Sequence, residues 1–377
     1  MIQYLSRPLH RIVHVLVRLF ARWYGRDALW MSITIARVSR RLDEMLWGMV
    51  EATVTLPARR KLLPILDHAA TKQLTAVDRH WQAHTIRGGF FLSKEASLDY
   101  IVELTDGRPY KRKLLRLHGP HPGKTILDYG CGPGNDLAGF AEFSRAARII
   151  GIDISERALR IARARVSWHV TDPKIFTFIK IRDDDTTIPL PDESVDYIQS
   201  LGVIHHSSHP DRIFKELARI LKPDGEMRVM VYNADSVHVQ LTIGYVRRLV
   251  QTTQSDLTPE EAFEKTADLE APIVHCVRPP DVAAWIAGSG LDCEFLGGYF
   301  VPGEADDHRR FTREALGDDR LSADQRAFLS ALSEDEDSFP MYQGRPAGLS
   351  AVYRLTKYGR ASSGSEPCLH ATRAKGA

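Results

Sequence analysis

From about Thr125 onward the chain alternates short apolar runs with longer segments whose apolar residues recur every three to four positions. The short runs read as strands at Thr125–Gly130, Arg148–Asp153, Thr177–Ile181, Val195–Leu201, Glu226–Tyr232, Leu291–Phe300 and Leu349–Leu355. The longer segments read as helices at Leu137–Ala146, Ser155–Val166, Asp211–Leu221 and Pro279–Gly288. In the second helix Ser155 is the N-cap, and Ala158, Leu159, Ala162 and Val166 share one face. In the third, Ile213, Phe214, Leu217, Ile220 and Leu221 point inward, and Lys222-Pro223-Asp224-Gly225 is the stop. Strands separated by single helices imply right-handed βαβ units, hence an α/β fold with a mostly parallel sheet and helices on both faces.

The pattern divides the chain. Residues 1–95 read as helical throughout, without strand-like alternation; Pro57 and Pro64 break that stretch and Gly88-Gly89 closes it. The core runs over 96–233, a helical insertion over 234–277, and the completion of the core over 278–357, itself interrupted at 301–347. Residues 358–377, rich in Ser, Gly and Ala and with Lys375 near the end, predict a disordered tail. There are no internal repeats.

Composition changes this picture little. At 377 residues, with 44% hydrophobic and 26% charged, the chain is neither disordered throughout nor a coiled-coil rod. A core of this size needs no disulfide or structural metal to hold it. Four cysteines (131, 276, 293, 368) show no C-x-x-C spacing and read as reduced thiols, which suits the cytoplasm.

Charge adds one feature. Of the formal +2, the first 42 residues carry +7, from eight arginines against Asp27. Leu9, Ile12, Val13, Leu16, Leu19, Phe20 and Trp23 recur there at helical spacing. The arginines break any signal-peptide core, and no run is long enough to span a bilayer. The segment reads as a basic amphipathic helix with three uses open. It anchors residues 1–26 on an anionic membrane surface at the inner face, packs on the main domain or a second subunit, or acts in targeting.

The chemistry concentrates at Ile126-Leu127-Asp128-Tyr129-Gly130-Cys131-Gly132-Pro133-Gly134-Asn135, between the first strand and the first helix. Open α/β sheets bind ligands there, and glycines permit close backbone approach. A dinucleotide brings an anionic pyrophosphate and wants G-x-G-x-x-G, which Asp128 would repel. S-adenosylmethionine brings a sulfonium and an amino group, which Asp128 would attract. The second strand ends in Asp153, a ribose-binding carboxylate, followed by the apolar Ile154 for an adenine face. Asp183-Asp184-Asp185 follow the third strand.

This run resembles the class I S-adenosylmethionine-dependent methyltransferases, in particular the branch whose fourth strand ends G-V-L-H-H. Asp128, Gly130, Gly132 and Gly134 match the first motif, Asp153 the ribose carboxylate, and Asp184 the acidic residue four before Ile188, although Asp183 or Asp185 would serve adenine equally. Ser200-Leu201-Gly202-Val203-Ile204-His205-His206 matches the strand-four ending, with Leu201 at the cofactor, and Leu221–Gly225 matches L-K-P-G-G. The resemblance covers 120–233, and more weakly 278–357. It implies a seven-stranded Rossmann-like sheet, S-adenosylmethionine as cofactor, and methyl transfer. It does not imply an acceptor.

Methyl transfer needs alignment, exclusion of water and, for a hydroxyl acceptor, a base. His206 and His205 are the candidates. A His205, His206, His209 metal cluster is set aside because adjacent histidines need a carboxylate partner, so no metal is expected. The acceptor is expected under residues 80–118, 234–277 and 301–347. Candidate contacts are Trp81, Phe90, Phe91, Tyr100, Tyr232, Tyr299 and Tyr342, the last with Arg345 nearby. A small-molecule or sugar-type hydroxyl is the first reading, a lipid or lipid-linked glycan the second. RNA is not expected, and a cofactor-binding protein without turnover is the remaining class.

Overall fold

The computed structural model describes residues 64–67, 73–85, 91, 93–170, 172–185 and 187–358. The basic segment 1–42, Phe90 and the tail from residue 359 lie outside the described residues.

The sheet is built on β1 (Ile65–Asp67), β2 (Thr125–Tyr129), β3 (Arg148–Asp153), β4 (Phe176–Lys180), β5 (Val195–Leu201), β6 (Leu221–Asn233), β7 (Cys276–Val277) and β8 (Leu291–Tyr299). Its ninth strand, called β12 below, is Ser350–Lys357. The order is β1-β4-β3-β2-β5-β6-β12-β8, with β7 beside β6. Every pair is parallel except those made by β12, which runs antiparallel to both β6 and β8. Seven of these strands are those predicted; β1 and β7 are additions.

The first addition corrects the reading of residues 1–95 as wholly helical. β1 pairs with β4, Ile65 beside Phe178 and Asp67 beside Lys180. Lys180 Nζ bonds Asp67 Oδ2 at 3.0 Å and Glu156 Oε2 at 3.2 Å. Three residues are too few to show alternation, so backbone pairing at the sheet edge, not side-chain pattern, makes this strand. A second correction concerns Lys222-Pro223-Asp224-Gly225. The strand starts at Leu221, before that turn: Val195 pairs with Leu221 and Tyr197 already with Glu226, so the four residues ride as a bulge within β6.

Helices cover both faces. On one lie α4 (Asn135–Phe143) and α5 (Glu156–Val166); on the other lie α6 (Pro210–Ile220) and α8 (Pro279–Ile286). Preceding these are α1 (Ala76–Ala83), α2 (Lys94–Asp106) and α3 (Lys111–Leu115). Ser155 caps α5 as predicted, its Oγ accepting from Ala158 N at 3.3 Å. Leu137, Phe140, Leu159, Ala162 and Val166 bury one face of the sheet. Ile213, Phe214, Leu217, Val282 and Ile286 bury the other, against Ile150, Ile198 and Val229. Each large side chain so buried contributes about 1.5–3 kcal/mol.

Two segments lie outside this plan. Residues after β6 form a π-helix (His238–Val250), α7 (Pro259–Thr266) and a single turn Ala267–Leu269. Residues after β8 form α9 (Glu304–Gly317), α10 (Ala323–Ser330) and a small antiparallel sheet of β9 (Ser333–Glu334), β10 (Pro340–Tyr342) and β11 (Arg345–Pro346). The segment 301–347 therefore combines helix with strand. The two segments share a core of Leu241, Tyr245, Ala315, Phe328 and Leu329. The buried Glu304 ties them to the sheet. Its Oε1 accepts from His238 N (3.1 Å) and Leu349 N (3.0 Å), and its Oε2 from Val301 N (2.5 Å).

Candidate functional site

At the carboxyl ends of β2, β3, β5 and β6 lies a cleft with about 1500 Å³ of empty space that opens to solvent.

The loop after β2 forms its floor. Gly130 and Cys131 donate to Ile152 O at 2.8 and 2.9 Å, folding the loop back onto β3. Gly130 sits at φ +76, and a Cβ there would lie 2.2 Å from Val203 Cγ2. Gly132, at φ +52, has nothing near its missing Cβ, so its backbone faces open space where a ligand can approach. Gly134 lies off the cleft. Its φ of +78 and a Cβ position 2.9 Å from Ala162 Cα make it the contact that lets α4 pack against α5. Its expected role at the cofactor is therefore corrected to packing.

Three carboxylates ring this floor, Asp128 buried and Asp136 and Asp153 partly buried. Burial, then the neighbouring Asp136 and Asp153, push the Asp128 carboxyl well above its ordinary range. Burial pushes Asp153 up to about 6, against the backbone N–H groups of Ser155 and Gly132, which donate to its two oxygens at 2.7 and 2.8 Å. Burial acts on Asp136 in the same direction, but the hydrogen bond from His118 and the charge of Lys111 outweigh it and hold the group at about 2. A site so rich in carboxylate suits a cationic ligand and penalises a pyrophosphate. Ile154 and Leu201 line the walls as expected.

Of the three aspartates after β4, the structure brings Asp183 to the cleft, not Asp184. Asp183 Oδ1 accepts from Ser207 Oγ (2.9 Å) and Ser208 N (3.2 Å), and Oδ2 from Ser208 Oγ (2.6 Å). These bonds hold Asp183 at the cleft, which Asp184 does not line.

His206 lines the cleft and His205 does not. His205 is fully buried, with both ring nitrogens lacking a hydrogen-bond partner, and burial pushes its imidazole well below the ordinary range. As a base meeting substrate it is ruled out by position. His206 Nδ1 lies 2.8 Å from Ile273 O; a carbonyl only accepts, so Nδ1 carries the hydrogen. Nε2 lies 3.0 Å from Asp268 Oδ2, and the same Oδ2 accepts from the Tyr232 hydroxyl. Asp268 is the residue sequence reasoning missed. It sits in the turn Ala267–Leu269 at φ 45, ψ 50, a left-handed conformation unusual for a non-glycine residue. No local pattern announces it.

Trp81, Tyr232 and Tyr299 line the cleft as predicted, with Trp81 4.9 Å from the His206 ring. Phe91, Tyr100 and Tyr342 do not. Tyr342 packs on Phe328 at 4.8 Å, and Arg345 donates to Phe295 O at 3.0 Å, so that expected pair belongs to the small sheet. Lys111, 5% exposed, also reaches the cleft and was not anticipated.

Residues 127–229 match the family model described as a methyltransferase domain. That stretch is a class I S-adenosylmethionine-dependent methyltransferase domain. It spans β2 to the middle of β6, carries both motif carboxylates, and takes S-adenosylmethionine as cofactor. The methyltransferase domain is similar to an uncharacterised 37.1 kDa protein of a Streptomyces fradiae transposon (34% identical over 149 residues, 39% of this chain and 40% of that protein). It is similar to the probable tRNA methyltransferase 9B of Homo sapiens (30% over 141 residues, 37% and 28%). It is also similar to the ubiquinone/menaquinone biosynthesis C-methyltransferase UbiE of Hydrogenovibrio crunogenus (25% over 136 residues, 33% and 49%). The chain thus spans less than half the length of each of these relatives, and the two named as methyltransferases differ in the acceptor their names give. Among the described residues no helix is long and apolar enough to cross a membrane.

Proposed function

We propose that this methyltransferase acts on an oxygen of a small molecule held in the cleft beside the cofactor. The carrying observation is the cluster of His206, Asp268 and Tyr232, which meets at the cleft wall within hydrogen-bonding distance. Carbon and nitrogen acceptors that are already nucleophilic need no proton acceptor; a hydroxyl does.

When bound, S-adenosylmethionine supplies an electrophilic methyl carbon on a sulfonium. Asp153 accepts from the ribose hydroxyls, Ile154 packs against the adenine, and Asp183 accepts from the adenine amino group. Asp128 receives the methionyl ammonium, and Lys111 its carboxylate. The open space at Gly132 and the acidic floor fit such a ligand. Residues 234–277 act as the acceptor's lid and bring Asp268 with them. Trp81, Tyr232 and Tyr299 offer flat apolar surfaces that exclude water around the acceptor. The acceptor hydroxyl gives up its proton at the His206, Asp268 and Tyr232 cluster on the cleft wall.

The test is incubation of the full chain with methyl-labelled S-adenosylmethionine and separate pools of phenols, sugars, lipids and RNA. Label in an O-methyl group of a small hydroxylated compound, lost in Tyr232→Phe and His206→Ala, is expected. Label only in RNA or lipid, or in a C-methyl group, would overturn the reading.

A further inference from the structure

The contact between His206 and Asp268 poses a charge problem. His206 Nδ1 carries its hydrogen toward Ile273 O, which leaves Nε2 with a lone pair. That lone pair faces a carboxylate oxygen 3.0 Å away. Two lone pairs at hydrogen-bonding distance repel, so either a proton on Nε2 or a metal ion lies between them. Next to them is His205, 0% exposed, whose two ring nitrogens lack any hydrogen-bond partner. Leaving such a group unsatisfied is costly, so a ligand that takes one of these lone pairs stabilises the fold. One donor atom each from His205, His206 and Asp268 lies within 4.8 Å of the others.

We infer that His205, His206 and Asp268 bind a divalent transition ion of the Zn2+ class at the wall of the cleft. This rests on the oxygen-acceptor reading above and deepens it by naming what ionises the hydroxyl. Two imidazoles and a carboxylate are a donor set for a borderline divalent ion, with remaining positions open for an outside oxygen. The outer partners are already in place. A backbone carbonyl fixes the His206 tautomer, and the Tyr232 hydroxyl orients the Asp268 carboxylate, the arrangement that supports metal-bound histidine and carboxylate elsewhere. In a tetrahedral site, donors held about 2.0–2.2 Å from one ion lie about 3.3–3.6 Å apart, so the widest pair here, up to 4.8 Å, closes by about an ångström when the ion binds.

The ion draws electron density from the acceptor hydroxyl. The O–H bond breaks, its electron pair stays on oxygen, and the proton leaves to water. The oxygen then forms the O–C bond, and the pair of the broken S–C bond remains on sulfur as a thioether. No oxidant or reductant is needed.

The test uses the full chain stripped with a chelator, then titrated with Co2+ by visible absorption and with Zn2+ by calorimetry. About one ion per chain is expected, with Kd raised at least tenfold in His205→Ala and in Asp268→Asn. S-adenosylmethionine binding verifies that each variant is folded, and Asp268→Asn serves if His205→Ala is not. No saturable binding, or equal binding by wild type and both variants, means that a shared proton alone holds the cluster and overturns the proposal. Activity separates the two readings. If chelator leaves O-methyl transfer unchanged, the ion is refuted and the oxygen acceptor stands. If one ion binds but the product carries its methyl on carbon or nitrogen, the site stands and the oxygen reading falls.

Discussion

Asp153 should make cofactor binding depend on pH in a direction opposite to its effect on stability. Burial raises this carboxyl from 3.8 to about 6. Ribose hydroxyls want the ionised form, so binding requires the proton to leave. Above pH 6 the Kd of S-adenosylmethionine should be flat; below it, Kd should rise about tenfold per unit. For the free protein the sign reverses. The folded pKa is higher than the unfolded one, so the folded state binds the proton more tightly. The contribution is fully present below 3.8 and is lost as pH rises through 6, about 3 kcal/mol in all. Asp153→Asn should remove both slopes. It should also weaken binding at pH 8, because the two oxygens take N–H groups from Ser155 and Gly132, and an amide must turn its NH2 toward one of them. Losing one or two charge-assisted bonds to ribose costs about 2–4 kcal/mol, or roughly 30- to 1000-fold in Kd. Calorimetric titration between pH 5 and 8 measures the binding, and urea unfolding as a function of pH measures the stability slope. A Kd flat across that range, together with an Asp153→Asn value within threefold of wild type, would refute the reasoning.

Other positions give sharper, smaller tests. Gly130→Ala places a Cβ 2.2 Å from Val203 Cγ2 at φ +76, so it should lower stability by about 2–4 kcal/mol and abolish cofactor binding; a normal urea midpoint would contradict the loop geometry. Glu304→Ala leaves three backbone N–H groups without their acceptor, at about 3–6 kcal/mol, and an effect under 1 kcal/mol would mean that water replaces the carboxylate. Trp81→Ala should raise the acceptor KM about tenfold while the cofactor Kd moves less than threefold. If the cofactor Kd shifts by as much, Trp81 belongs to the cofactor half of the cleft.

The parts legible in the sequence are those whose cause is local. β3 and β5 were found to the residue because apolar runs between helices leave little choice. The loop from Gly130 to Gly134 was found because its backbone geometry demands glycine. Gly134 shows the limit of such reading: the motif names it, but only three-dimensional packing shows that it serves Ala162 rather than a ligand. Asp183 and Asp184 differ by the rotation of one turn, which the bonds from Ser207 and Ser208 decide. Asp268 lies 62 positions from His206 and meets it only because the chain folds back through the π-helix and α7. β1 carries three residues, too few for any pattern.

The placement of β12 bears on how the chain is made. The strands that build the cofactor floor, β2 to β5, are all synthesised before residue 202, and each pairs with another of that group. β6 and β8 do not pair with each other; both await Ser350–Lys357, which inserts between them last. Until then each offers a bare row of backbone donors and acceptors, Val229 and Val231 among them, to any other nascent strand. A ribosome stalled near residue 340 would hold a nearly finished cofactor site beside two unsatisfied sheet edges. Such a product should bind S-adenosylmethionine weakly and aggregate readily. Premature termination is therefore expected to be more harmful to solubility than a point change inside the cleft.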